Sequence, residues 1–187
     1  MQMWLVVPVL VWLGVISIFD LRKREIPHSA WVIIPLAAAM VYRLFAGEWQ
    51  LVILAALVAL VSERRRLADW TRLPLDGWSI WIPPLVLLVY WGLLANPIGA
   101  IAIVGFWLAW ELHVWGGADA VASISLALIW PVLPFVLSLL GVHLAAAVGA
   151  TAYGLLREHR WWLHSLPGLP LLLATVITFL IAHGVAG

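Results

Sequence analysis

The chain has 187 residues and a net charge of +1, with 65% hydrophobic and only 10% charged residues. Soluble domains are about 45–50% apolar and about 25% charged, so this composition excludes an ordinary water-soluble globule and indicates an integral membrane protein. A mean hydropathy of +1.08 and 14 tryptophans, whose indoles favour the membrane–water interface, agree with that class. The near-neutral charge gives no indication of a nucleic-acid partner. The absence of cysteine excludes disulfides and thiolate metal sites.

Apolar runs predict an all-α polytopic membrane helical bundle, with eight transmembrane helices preferred within a range of six to eight. The predicted helices cover 3–19, 29–45, 48–61, 78–94, 98–112, 120–139, 142–156 and 166–183. A full crossing takes about 20 residues, so the third, fifth and seventh runs are short for one. Ala46-Gly47, Asn96-Pro97 and Leu140-Gly141 are the expected breaks between runs. The polar stretch 62–77 is too short for a second domain, so we predict one transmembrane domain over 1–187.

The distribution of basic residues predicts the orientation. With the N-terminus outside and eight crossings, nine of the ten basic residues fall in the inner loops, and only Arg43 falls outside. The nine are Arg22, Lys23, Arg24, Arg64, Arg65, Arg66, Arg72, Arg157 and Arg160. This asymmetry follows the rule that cytoplasmic loops carry the excess of lysine and arginine. The triplet 64–66 is also expected to attract anionic lipid head groups.

Two carboxylates, Asp20 and Asp119, stand out because each is expected at the inner end of an apolar helix. A carboxylate beside hydrocarbon is costly, so its presence favours a function. Two aspartates at one depth can share a proton: the charged one takes a proton from water, and the protonated one polarises a carbonyl. No metal or cofactor is predicted, since the six histidines are scattered and no His-Glu-x-x-His motif occurs.

Structural interpretations of the same residues remain open. Asp119 is a good N-cap for a helix that begins at Ala120, and Asp20 can balance the basic residues that follow it. Gly116 and Gly117 allow close approach of a substrate backbone, positive φ or tight helix packing. Pro27 suits the first turn of a helix.

The two acidic segments resemble the signatures of one protease family. Residues 20–28, Asp-Leu-Arg-Lys-Arg-Glu-Ile-Pro-His, resemble the first signature of the type IV prepilin peptidases. Gly116-Gly117-Ala118-Asp119 resembles the second, usually written Gly-x-Gly-Asp. With the archaeal preflagellin peptidases, this family comprises polytopic membrane aspartyl proteases. The resemblance implies cleavage of a short basic leader from prepilin-like or preflagellin-like precursors, at the cytoplasmic face of the cell membrane.

By the same resemblance, Asp20 and Asp119 are the catalytic pair. Gly116, Gly117, Ala118, Ile26 and Pro27 support the motifs or bind substrate.

Departures from the family pattern define the alternatives. Ala118 replaces the second glycine, and Val121 stands where many relatives carry lysine. These two changes favour a catalytically inactive peptidase-like scaffold or assembly subunit. A small-solute transporter is a further alternative, because buried carboxylates also line ion paths. N-methyltransferase activity is not expected, because the chain lacks the paired cysteine motifs of bifunctional members. Glu111 and His113, close to Asp119, have two interpretations: they reach the membrane interface, which is preferred, or they tune the site.

Overall fold

The computed structural model describes residues 3–23, 29–158 and 168–184, and every regular element in these ranges is helical. This confirms the all-α prediction. The α-helices are α1 Met3–Lys23, α2 Ile34–Phe45, α3 Trp49–Ser62, α4 Arg64–Thr71, α5 Trp78–Ala95, α6 Pro97–Glu111, α7 Gly117–Ile129, α8 Leu133–Glu158 and α9 Gly168–Gly184. A π-helical turn, Ser29–Ile33, precedes α2.

Three helices in the described ranges have the length and hydropathy to cross a membrane, namely Trp4–Arg22, Trp78–Ala95 and Leu133–Tyr153. Five further apolar helices are shorter, at 10–17 residues. The apolar helices agree with the membrane class that the composition indicates. The number of crossings and the orientation stay predictions.

The helices pack as two compact units, one formed by residues up to Trp31 and from Leu133 onward, the other by Val32–Val132. In the first unit, α9 packs against both α1 and α8. Its core includes Leu13, Ile16 and Leu172, and Phe135 meets Phe179 edge to face at 5.6 Å between ring centroids. The single-domain prediction stays a prediction.

Pro35 follows the π-helical turn and leaves one backbone carbonyl of that turn without its usual helical donor. An α-helix would need the amide of residue 35 to donate to the carbonyl of Trp31, but residue 35 is proline and has no N–H. That carbonyl instead accepts a hydrogen bond from the indole Nε1 of Trp12 at 2.9 Å. The side chain of α1 thus satisfies a backbone group that Pro35 leaves unpaired.

In the second unit, α7 is the most deeply buried helix, since eight of its residues from Ala120 to Leu128 are buried. It packs against α2 and α6, while α3 packs against α5. Close approach depends on small residues: a Cβ on Gly99 would lie 2.8 Å from Leu51 Cδ1 and 2.9 Å from Pro131 Cβ. Asp119 therefore stands at the entrance of a helix that is held on several sides.

A polar network fixes the far end of α7. The buried Arg43 donates to the carbonyls of Leu128 and Ile129, the second at 2.9 Å, and pairs with Glu48 at 3.0 Å. Glu48 in turn accepts from Asn96 Nδ2 at 3.3 Å. The last carbonyls of a helix have no partner within it, so Arg43 satisfies groups that would otherwise be buried unpaired.

Several predicted boundaries are corrected. The breaks at Ala46-Gly47 and Asn96-Pro97 are confirmed; Gly47 adopts φ of 80°, and Asn96 Oδ1 caps α6 by accepting from the Gly99 amide at 2.9 Å. The break at Leu140-Gly141 is wrong, because α8 runs through it. Proline interrupts a helix and glycine only weakens it, and the break instead lies at Pro131. The stretch 62–77 contains the short helix α4.

Candidate active site

Asp119 lies in the first turn of α7, which begins three residues earlier than its predicted start at Ala120. Gly116 is the N-cap, with extended backbone angles, and its carbonyl accepts from the Ala120 amide at 3.0 Å. The N-cap prediction for Asp119 is therefore wrong, since this residue is the third of the helix. A negative charge there interacts favourably with the positive end of the helix dipole.

The two glycines before Asp119 allow neighbouring side chains to approach the backbone closely, and neither adopts a positive φ. A Cβ on Gly116 would lie 3.1 Å from Asp119 Oδ2, so the carboxylate turns back over the Gly116 backbone. A Cβ on Gly117 would lie 3.2 Å from the indole Nε1 of Trp110. Both positions thus favour glycine because a side chain would press on a neighbour. Ala118, the second residue of the helix, is half-buried.

The turn that leads from α6 to α7 is fixed by backbone hydrogen bonds. His113 and Val114 donate to the carbonyls of Trp110 and Ala109, at 2.9 and 2.8 Å, in the pattern of a Schellman motif. His113 takes the left-handed position with φ of 60°, which glycine usually occupies. Trp115 stacks on Phe106 with 5.4 Å between the ring centroids. These contacts hold the chain in place just before Asp119.

Glu111 makes an ion pair that sequence reasoning missed. Its carboxylate accepts two hydrogen bonds from the guanidinium of Arg64, at 2.8 and 3.3 Å, and the guanidinium carbon lies 4.1 Å from the ring centroid of Trp78. A carboxylate at the C-terminal end of α6 faces the negative end of the dipole and needs a cation. The unfavourable position of Glu111 at a helix C-terminus could have indicated from the sequence that a cation lies nearby. It does not identify Arg64, which is 47 residues away, as that cation. His113 is exposed.

Asp20 lies inside the last turn of α1, because this helix continues to Lys23 and does not end at the predicted Phe19. The atom Oδ2 of Asp20 is buried, and no described residue gives it a hydrogen bond. One turn earlier, the hydroxyl of Ser17 is in the same condition. Residues three apart share a helix face, so two unsatisfied oxygens stand together on α1.

Ser17 behaves differently from the buried serines of α7. Ser123 and Ser125 each donate to the carbonyl four residues earlier, at 2.8 Å, as a serine inside a helix commonly does. The Ser17 hydroxyl makes no such bond. An unsatisfied buried hydroxyl costs about 1–3 kcal/mol, so this position is chemically distinct. Sequence reasoning missed Ser17; its spacing of three from Asp20 was the available signal.

Asp20 belongs to the first unit and Asp119 to the second. The rest of the first signature is described only up to Lys23, so the predicted support residues Ile26 and Pro27 lie outside the described residues. Within the described ranges, no three histidine, aspartate or glutamate side chains converge in a group that could hold a metal ion.

Comparison with known protein families, curated proteins and solved structures finds no match to this chain. The likeness to prepilin peptidases therefore depends on the two short signatures around Asp20 and Asp119.

Proposed function

We propose that this chain is a membrane aspartyl endopeptidase that removes short basic leaders from prepilin-like or preflagellin-like precursors. The observation that carries the proposal is the pair of signatures in one apolar chain, Asp20 with its basic segment and Asp119 after Gly116-Gly117-Ala118. The placement of Asp119 in the first turn of a buried helix supports it. So does the buried Oδ2 atom of Asp20, to which no residue in the described ranges donates a hydrogen bond.

The chemistry follows from two carboxyl groups that share one proton. The ionised group removes a proton from a water molecule, which attacks the scissile carbonyl. The protonated group donates a hydrogen bond to the carbonyl oxygen as negative charge develops there. Both steps use side chains and water alone, so the proposed reaction needs no cofactor.

The proposed topology places both aspartates on the cytoplasmic side of the cell membrane. If each of the eight apolar helices crosses once and the N-terminus is outside, the end of α1 and the start of α7 face the same compartment. The same alternation gathers nine of the ten basic residues on that side. A leader that has not crossed the membrane would meet the site there.

The test is cleavage of a prepilin-like precursor by the full chain reconstituted in lipid vesicles. Asp20→Asn and Asp119→Asn should each lower the initial rate by at least about 10³-fold, because an amide can neither accept nor return the proton. Asp76→Asn is the matched control, since Asp76 is exposed and lies outside both signatures. Cleavage that persists in either active-site variant would refute the assignment.

Ala118 and Val121 favour one competing function, an inactive peptidase-like subunit that scaffolds pilus-type assembly. In that case the wild-type chain binds the precursor without cutting it. Ala118→Gly combined with Val121→Lys then restores the family pattern, and a gain of cleavage in this variant alone would identify the scaffold.

A further inference from the structure

The helix α4 has two different faces. Its exposed residues follow a helical period on one side, while the residues of the other side are half-buried within the second unit. The exposed face consists of Arg65, Arg66, Asp69 and Trp70, and the half-buried face consists of Arg64, Leu67, Ala68 and Thr71. The three consecutive arginines are thereby divided: one points toward the protein and two point away.

The guanidinium of Arg64 forms an ion pair with Glu111 and lies over the ring of Trp78, so it faces the protein. Arg66 is 84% exposed, and its contact with Glu63 is long, at 3.6 Å. An exposed ion pair of this kind contributes little, so it does not explain why the charge is there. The guanidinium groups of the outer face thus present their hydrogen-bond donors to the surroundings.

An exposed aromatic side chain accompanies these charges. Trp70 is 83% exposed, and Leu73, just beyond the helix, is 56% exposed. A large apolar surface beside arginines is unfavourable in bulk water but suits the head-group region of a bilayer, where tryptophan is enriched. The position of α4 fits that region, because it connects the apolar helices α3 and α5.

We propose that the outer face of α4, together with Arg72, binds anionic phospholipid head groups of the adjacent leaflet. Guanidinium groups match phosphate oxygens in a bidentate geometry, and the indole of Trp70 enters the interface beside them. Asp69 lies on this face and Glu63 contacts Arg66 beside it, so three arginines face two carboxylates and the local charge stays positive. The inference is independent of the proposed protease activity.

The experiment uses the full chain in detergent, with phosphatidylglycerol and phosphatidylcholine as probes and bound lipid counted by native mass spectrometry. The wild type should prefer phosphatidylglycerol. Arg65→Gln with Arg66→Gln should reduce that preference by about 25-fold, or about fivefold for each arginine.

The charge-conserving pair Arg65→Lys with Arg66→Lys is the matched control and should stay within about fivefold of the wild type. A wild type without preference between the two lipids would overturn the proposal. So would a glutamine variant within about twofold of the wild type.

Discussion

Ser17 and Asp20 hold the least satisfied polar atoms described in α1. An unpaired buried hydroxyl lowers stability, so Ser17→Ala should leave the free energy of unfolding unchanged or raise it by about 1 kcal/mol. The same change should slow precursor cleavage about tenfold if the hydroxyl helps to hold the water or proton at Asp20. Unfolding in detergent and initial cleavage rates measure the two effects.

The matched control is Ser125→Ala, which removes a hydroxyl that is bonded to the Val121 carbonyl. This variant should lose about 1 kcal/mol. If Ser17→Ala loses as much stability as Ser125→Ala, then the Ser17 hydroxyl is paired, and its proposed relation to Asp20 fails.

Substitution of Gly117 should also change the stability of the chain. In Gly117→Ala, the new methyl group would press on the indole of Trp110, so the free energy of unfolding should fall by about 1–3 kcal/mol. Gly141→Ala is the control, because a Cβ there meets nothing within 4 Å and alanine is the better helix former. The prediction is contradicted if both substitutions stabilise the chain in thermal unfolding.

Among the helices, α7 depends on the polar network at its far end. Arg43→Met keeps most of the buried volume but leaves the carbonyls of Leu128 and Ile129 without their donor. We expect a loss of about 2–4 kcal/mol in the free energy of unfolding, since two buried acceptors lose their partner. Arg65→Met, on the exposed face of α4, should change it by less than about 0.5 kcal/mol. If Arg43→Met also changes the free energy of unfolding by less than about 0.5 kcal/mol, the network makes no measurable contribution to stability.

The helices were largely predictable, and the exceptions have physical reasons. Long apolar runs and strong breaks such as Asn96-Pro97 identify helices without tertiary information. Pro131 was missed because the residues around it are all apolar, so hydropathy does not change at the break. The short helix α4 was missed since eight residues in a charged stretch give no apolar periodicity.

The candidate site was predictable only where it is local in sequence. The placement of Asp119 near a helix start follows from the glycines and the apolar run after it. The pairing of Arg64 with Glu111 joins residues 47 positions apart, and only the packing of α3, α5 and α6 determines it. The unsatisfied state of Ser17 likewise depends on burial, which a single sequence does not specify.

For the whole molecule, the proposed function requires that Asp20 and Asp119 meet. The chain has no cysteine, so Asp20→Cys combined with Asp119→Cys allows a clean cross-linking test in native membranes. The proposal predicts a disulfide under mild oxidation, which forms when the two Cα atoms come within about 4.4–6.8 Å of each other. Gel mobility with and without reductant gives the result.

The control pair is Glu48→Cys with Asp119→Cys. Glu48 belongs to the network at the opposite end of α7 and should not cross-link. If the pair at positions 20 and 119 gives no more cross-link than this control, with or without added precursor, the prediction that the two positions come within disulfide range is wrong.

The brevity of α7 has a consequence for the lipids themselves. Thirteen residues rise about 20 Å, whereas the hydrocarbon layer is about 30 Å thick. If α7 crosses the membrane as predicted, the remaining 10 Å or so would be supplied either by local thinning of the bilayer or by a water-filled depression above the helix end. In both arrangements the polar boundary would bend toward the midplane, and the leader of the proposed precursor would enter along that bend.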